Sequence, residues 1–465
     1  MVFLLLALVA APAQAGQADG GVGAADAGAE RGQPGTPDGG QDDEALRREL
    51  EKALGKDAAA AGQAAAQPTP APETATGGAV PPVPLFRGAQ SFNPDISAIL
   101  DTEGGYQRRP FLFPSGDDPL LRTEEGRKAA GFTVQEVELA FSAIVDPYFR
   151  ADVFLTIPNL TGLEVEEAFG TTTSLPWNLQ AKGGSFRSAF GRQNGQHLHV
   201  QDFTLRPLIN AAFLGLDGLR GPGAQLSWLA PLPFYLTLYA EAFSLRAPDQ
   251  PGPGITLPPP VASFGGGGTQ DLTYATEAKA FFPFGDAWSV SLGVSGATGV
   301  SPALFQPTDT GVNVLGANRR SYLVGADVYF KWKPPNVVSG YNSVAWQTEA
   351  IWRHLDGSAD VPGGWDGGMY SQVVVQVARR WFLGLRGDVL GIPTSSSLGR
   401  TLRASTSITF QASEFARVRG YVQAEHASSG PSVPDVTFPP VQPGDAVAAF
   451  LQLEISIGAH GAHPF

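Results

Sequence analysis

His197 and His199 stand two residues apart, and Asp202 follows three positions later. On an extended segment alternate side chains point the same way, so the two imidazoles share a face. Imidazole beside a carboxylate suits zinc, which makes His197, His199 and Asp202 a candidate metal group. Histidine also serves as an ordinary polar loop residue, and that reading stays open beside the metal one. Around these residues Arg192, Arg206 and Arg220 spread positive charge over Gly191–Pro222, with Asp217 as a further acid. Cations lining a narrow passage of low dielectric concentrate anions and slow cations, so the stretch is a candidate constriction loop. As an external loop it would carry the same charges simply solvated. Catalysis is not expected: there is no G-x-S-x-G elbow, and His354 and His426 have no partner that spacing identifies. No cofactor is implied.

The elements that must position these residues are strands. Leu451, Leu453, Ile455 and Ile457 lie on one side of a two-residue period, with Gln452, Glu454 and Ser456 on the other. The same alternation runs through Val137–Val145, Ala151–Ile157, Phe234–Ala240, Trp288–Val294, Val324–Trp332, Val344–Trp352, Trp381–Leu385, Leu402–Phe410 and Val418–Ala424. Weaker candidates lie near Ile96, Val165, Leu179, Leu226, Tyr274 and Val375. Together they make about 16 strands, an even number as bacterial barrels require. Arg353, Arg386, Arg403, Arg417 and Arg419 fall on the polar face with Glu349 and Asp388, and are the candidate lumen lining.

Composition supports a sheet over helices. Charged residues make up 16% of the 465, and no apolar run approaches the roughly 20 residues of a spanning helix. The 57 glycines and 39 prolines favour many turns, and the absence of cysteine removes disulfides and thiolate metal sites. A net charge of -13 argues against nucleic acid as a partner. Residues 1–15 read as a signal peptide: Phe3–Ala10 is an apolar core and Ala13-Gln14-Ala15 an A-x-A cleavage site. Residues 16–90 are a low-complexity periplasmic segment of Ala, Gly, Pro, Gln and acid, with a short helix expected over 42–57. Residues 91–465 are the expected barrel.

A soluble sandwich produces the same alternation, so connections must decide between the two. Short turns (Asp146-Pro147, Pro231–Pro233, Phe284–Asp286, Ala412–Glu414) alternate with long loops (Glu103–Ala130, Arg246–Gln270, Gly299–Asn318, Gly357–Gly368, Ser428–Asp445). That is the habit of an outer-membrane barrel. Trp177, Trp228, Trp288, Trp332, Trp352 and Trp381 fall near strand ends, where an interfacial girdle sits.

The run Leu179–Arg192 resembles a strand of the phosphate-selective porin O/P family, in which a basic-Gly-x-Phe segment leads to a Phe-Gly turn. Lys182, Gly183, Phe186, Phe190 and Gly191 carry the match, with Gly184 inserted. The resemblance implies a 16-stranded barrel from about Phe92 to Phe465, assembled as a homotrimer, with one loop folded into the lumen. The family's anion specificity rests on a dense ladder of lumen Arg and Lys, whereas the polar faces here mix signs. The chain is also similar to outer-membrane proteins described as zinc-regulated TonB-dependent receptors. Those carry a folded plug ahead of a 22-stranded barrel, and Gly16–Gln90 is too short for one.

The expected protein is therefore an all-β outer-membrane barrel, in contact with lipid outside and with small hydrophilic solutes or ions within. Passive diffusion is the first reading of its function. A substrate-specific receptor or channel, for a metal such as zinc, is the second. An adhesive or structural surface barrel is the third.

Overall fold

The computed structural model describes residues 94–108, 129–160, 162–215, 217–245, 263–266, 271–302, 304–308, 311–315, 318–335, 342–395, 398–429 and 444–458. The signal peptide, the low-complexity segment with its helix over 42–57, and Phe465 lie outside them.

Alternating sequence becomes antiparallel ladder. In chain order the strands are β1 (Asp95–Gln107), β2 (Ala129–Ile144), β3 (Phe149–Thr156), β4 (Glu164–Thr172), β5 (Leu179–Arg187) and β6 (Arg220–Leu229). Next come β7 (Tyr235–Phe243), β8 (Thr273–Phe284), β9 (Trp288–Val300), β10 (Leu304–Thr308), β11 (Gly311–Leu315) and β12 (Arg320–Trp332). The chain ends with β13 (Ser343–Leu355), β14 (Gly364–Ala378), β15 (Trp381–Ser395), β16 (Arg400–Ser413), β17 (Ala416–Ser429) and β18 (Gly444–Gly458). All but β10 and β11 form one closed barrel of 16 strands. It closes where β1 pairs with β18, from Ser97 opposite Gly458 to Gln107 opposite Ala448.

Burial is inverted relative to a soluble sheet. On β18, Leu451 is 60% and Ile457 67% exposed, while Gln452 and Glu454 are 3% and 7% exposed. On β16, Leu402 and Ile408 stand out from the wall, whereas Arg403, Ser405 and Ser407 are buried inside. A sandwich would hide the leucine row between two sheets. Only a wall with acyl chains outside and polar groups inside makes both halves favourable. The barrel is an outer-membrane barrel.

The aromatic residues mark its two rims. Trp288 lies 5.8 Å from Trp332 at the short-turn end, where Trp381 also meets Phe410 at 4.9 Å. At the opposite rim His354 lies 4.9 Å from Trp365. Every expected strand is present, and some run further than their loops allowed. β1 continues to Gln107, β14 begins at Gly364, and β18 begins at Gly444. The stretch Gly299–Asn318, read as loop, contains the hairpin of β10 and β11.

Candidate functional site: the inward loop and the passage beside it

Between β5 and β6, residues 188–219 turn into the barrel instead of away from it. Asn194 ties the neck. Its amide donates to the carbonyls of Ser188 (2.8 Å) and Leu219 (3.0 Å), and its Oδ1 accepts from the Leu219 N–H at 2.7 Å. Gly184 on β5 has φ +137°, and a Cβ there would strike the Ala168 carbonyl; the inserted residue of the family-like segment had to be glycine.

The loop then crosses to the far wall through a series of backbone tethers. The Gly191 N–H donates to Ser295 Oγ at 2.9 Å, and Leu208 N–H donates to Asp388 Oδ1 at 2.8 Å. Gly191 passes so close to the Glu349 carboxylate that any Cβ would collide with it. Arginines of the wall grip loop carbonyls in return. Arg386 donates to Leu205 O at 2.8 Å, Arg419 to Gln201 O at 2.9 Å, and Arg417 to His199 O. A loop inside a barrel exposes backbone donors and acceptors with no ladder to satisfy them, and these wall groups supply that need.

Apolar side chains fix the same arrangement. Leu208, Ile209, Ala212 and Phe213 are fully buried against Ile351, Tyr370 and Leu390 of the wall. Phe203 and Leu205 pack on Tyr421 and Phe450. Fully burying one such side chain is worth about 1.5–3 kcal/mol, so the loop has a small core of its own inside the lumen. Those inward-facing wall residues break the polar alternation, and they break it where the loop lies.

The residues expected to line open water are largely covered by the loop. Arg353 pairs with Asp366 at 2.9 Å, Arg386 with Asp388 at 3.1 Å, and Arg403 with Glu425 at 2.6 Å, all buried. Arg417 pairs with Glu454 at 2.5 Å. Arg419 is buried, and the Glu349 carboxylate accepts from Tyr370 OH at 3.1 Å. These side chains do face inward, but they meet protein. Sequence spacing shows the face a residue occupies and is blind to what lies across from it.

The constriction candidates divide. Arg192 sits with its guanidinium 3.7 Å from the Tyr329 ring and donates to Gln347 Oε1 at 3.3 Å. Arg206 is buried. Arg220 is the first residue of β6, outside the loop proper, and donates to Glu166 O at 3.1 Å. His197 and His199 converge, as their spacing predicts, with ring centres 5.7 Å apart. Asp202 does not join them. It is exposed, and the cations acting on it are Arg419, Arg417, Arg192 and Lys331. The carboxylate that meets both histidines is Glu138 of β2.

Around the histidines the geometry is tight. His199 Nδ1 lies 3.1 Å and His197 Nδ1 3.3 Å from Glu138 Oε2. His197 Nδ1 is also 3.3 Å from Glu166 Oε2, and its Nε2 is 2.7 Å from Glu167 Oε2. Burial opposes a charge on His197, but the carboxylates of Glu166, Glu138 and Glu167 outweigh it and hold the imidazole well above its ordinary range. Glu166 is paired in turn with Arg187.

With most of the loop against β13–β18, open space remains along the β1–β8 side. A cavity of about 490 Å³ lies there, bordered by Glu138, Arg150, Lys182, His197, Glu277 and Lys279 among others. Its lining mixes charges of both signs. Strand neighbours account for several of them, as in Lys279 beside Glu277 (3.6 Å) and Arg150 beside Asp152 (2.8 Å).

No protein-family model matches the chain. Among solved structures, the anion-selective porin from Comamonas acidovorans superposes with a TM-score of 0.50 at 10% identity, covering 79% of this chain and 100% of that one. Pseudomonas putida OprB, in its high-pH structure, gives 0.48 at 11% identity, over 79% and 94% of the two chains. The DcaP channel of Acinetobacter baumannii gives 0.48 at 10%, over 79% and 97%. The likeness to the Comamonas acidovorans porin speaks to the fold alone, a closed 16-stranded antiparallel barrel of the outer-membrane porin type. An uncharacterized protein of Aquifex aeolicus (strain VF5) is 30% identical over 416 residues, 81% of each chain. At that identity and coverage the chain belongs to one family with the Aquifex aeolicus protein.

Proposed function

We propose that this protein is a porin: a non-enzymatic outer-membrane channel through which small hydrophilic solutes and ions diffuse passively. One observation carries the reading. Beside the inward loop, a cavity of about 490 Å³ lined by charged side chains stays open within a wall whose outer face is apolar. A barrel serving only as a scaffold has no need of charged side chains along an unfilled interior, since burying such groups is expensive. The loop narrows the bore to one side, which sets a size limit on what passes.

Phosphate selectivity is not part of this proposal. The arginines an anion ladder would use are engaged with Asp366, Asp388, Glu425 and Glu454. The cavity presents Lys182 and Lys279 together with Glu138 and Glu277, so neither ion sign gains a continuous path. Assembly as a homotrimer is carried over from the resemblance to porin families, and cross-linking of the detergent-purified protein tests it. We place the segment before β1 in the periplasm, because β1 starts at the short-turn end of the barrel.

Insertion of the pure protein into a planar bilayer is expected to give stepwise conductance. In a potassium chloride gradient the reversal potential should lie close to zero, as mixed lining charge requires. A correctly folded barrel that carries no current would overturn the proposal. A reversal potential near the Nernst limit for one ion would overturn its selectivity.

A further inference from the structure

Three donor atoms from two distant parts of the chain converge on one point beside the passage: Glu138 Oε2 on β2, and His197 Nδ1 and His199 Nδ1 on the inward loop. The separations of 3.1 Å and 3.3 Å from the carboxylate oxygen to the two nitrogens match a tetrahedral cation site. Bonds of about 2.0–2.1 Å in a tetrahedron place ligand atoms roughly 3.3 Å apart.

From this geometry we infer a binding site for a divalent cation of the zinc class, held by Glu138, His197 and His199, that fastens the inward loop to the wall. Two further groups flank it. Ligation through Nδ1 of His197 leaves its Nε2–H to be oriented, and Glu167 Oε2 lies 2.7 Å from that nitrogen. A carboxylate behind a metal-bound imidazole is the usual support for such a ligand, fixing its tautomer and raising its basicity. Glu166 Oε2, 3.3 Å from His197 Nδ1 and paired with Arg187, borders the three-ligand group without belonging to it, so a water would fill the fourth position. A metal has to displace the proton that the surrounding carboxylates hold on His197; the neutral nitrogen so formed and the carboxylate oxygen favour zinc, nickel, cobalt and copper over magnesium, which prefers an all-oxygen octahedron. The cavity borders all three ligands, so an ion from solution can reach them.

The site stands whether or not the barrel conducts, so its test reads binding and not current. Titrating zinc chloride into the detergent-purified full-length protein at neutral pH is expected to give saturable one-to-one heat. Zinc should also raise the melting temperature, whereas magnesium should do neither. The double variant H197A/H199A should lose at least tenfold in affinity. Glu167→Ala removes the carboxylate behind His197, together with an acceptor for the Arg187 N–H, and should lose about 10–100-fold while leaving the site able to fill. Should the double variant fail to fold, X-ray absorption on the zinc-loaded native protein decides, with histidine scattering expected in the first shell. Absence of saturable zinc binding by the native protein, an all-oxygen shell, or full affinity in a folded double variant would each overturn the site.

Discussion

Arg386 shows what the inner wall asks of a cation. Its guanidinium pairs with Asp388 at 3.1 Å, donates to the Leu205 carbonyl at 2.8 Å, and lies 4.7 Å from the Phe203 ring. Replacing it by alanine strands a buried carboxylate and a loop carbonyl together. Arg386→Ala is expected to destabilise the folded barrel by about 3–5 kcal/mol, read by equilibrium unfolding from detergent. Arg150→Ala is the control. Arg150 pairs with Asp152 at a similar distance, but its side chain is 51% exposed, so the loss should stay within about 1 kcal/mol. Equal losses in the two variants would mean that the loop contact contributes nothing. Alternation in the sequence put Arg386 on the polar face correctly, yet it could not reveal the loop carbonyl 181 residues earlier in the chain. The histidine group teaches the same lesson. Spacing joined His197 and His199 but reached for Asp202, the nearest acid along the chain; the acid that meets them, Glu138, is 59 residues before His197.

At the scale of elements, what was legible follows from how each element is held. A strand of this barrel writes its environment into every second residue, and so β18, β16 and β13 could be read with their faces assigned. Leu451, the middle residue of β18, tests that assignment. Leu451→Arg sets a charge among acyl chains and should destabilise the barrel by about 2–4 kcal/mol, with smaller losses for the same change toward either rim. Refolding into lipid vesicles with urea titration measures it; no depth dependence would mean the face does not meet hydrocarbon. The inward loop is held differently. Its helices, Gly191–Asn194 and Leu208–Phe213, are four and six residues long, below the length at which propensity sustains a helix. Packing against Tyr370, Leu390 and Ile351 holds the second, hydrogen bonds from its backbone to Ser295 and Glu349 hold the first, and such contacts leave no period in the local sequence. The hairpin of β10 and β11 escaped for a related reason, since five-residue strands offer too few alternations to rise above a loop.

For the whole molecule the decisive fact is closure, because a sheet in hydrocarbon has no tolerance for an edge. Each backbone group left unpaired in lipid costs several kcal/mol, whereas in water it would be solvated. β18 is paired on both sides, with β1 from Ser97 to Gln107 and with β17 from Ala416 to Ala427. A chain ended after residue 443 therefore loses two ladders and gains two edges, on β1 and β17. It is expected not to form a barrel at all, seen as loss of heat-modifiable mobility on electrophoresis after refolding in detergent. A chain ended after Gly458 keeps every pair of both ladders. It should refold in detergent like the full chain. The two truncations differ by 15 residues, the whole of β18, so they isolate the contribution of closure. If the shorter chain refolds, the barrel tolerates an open seam, and the account of its wall as a continuous ladder is wrong. If the longer one fails in purified detergent, the residues after Gly458 contribute to the fold itself.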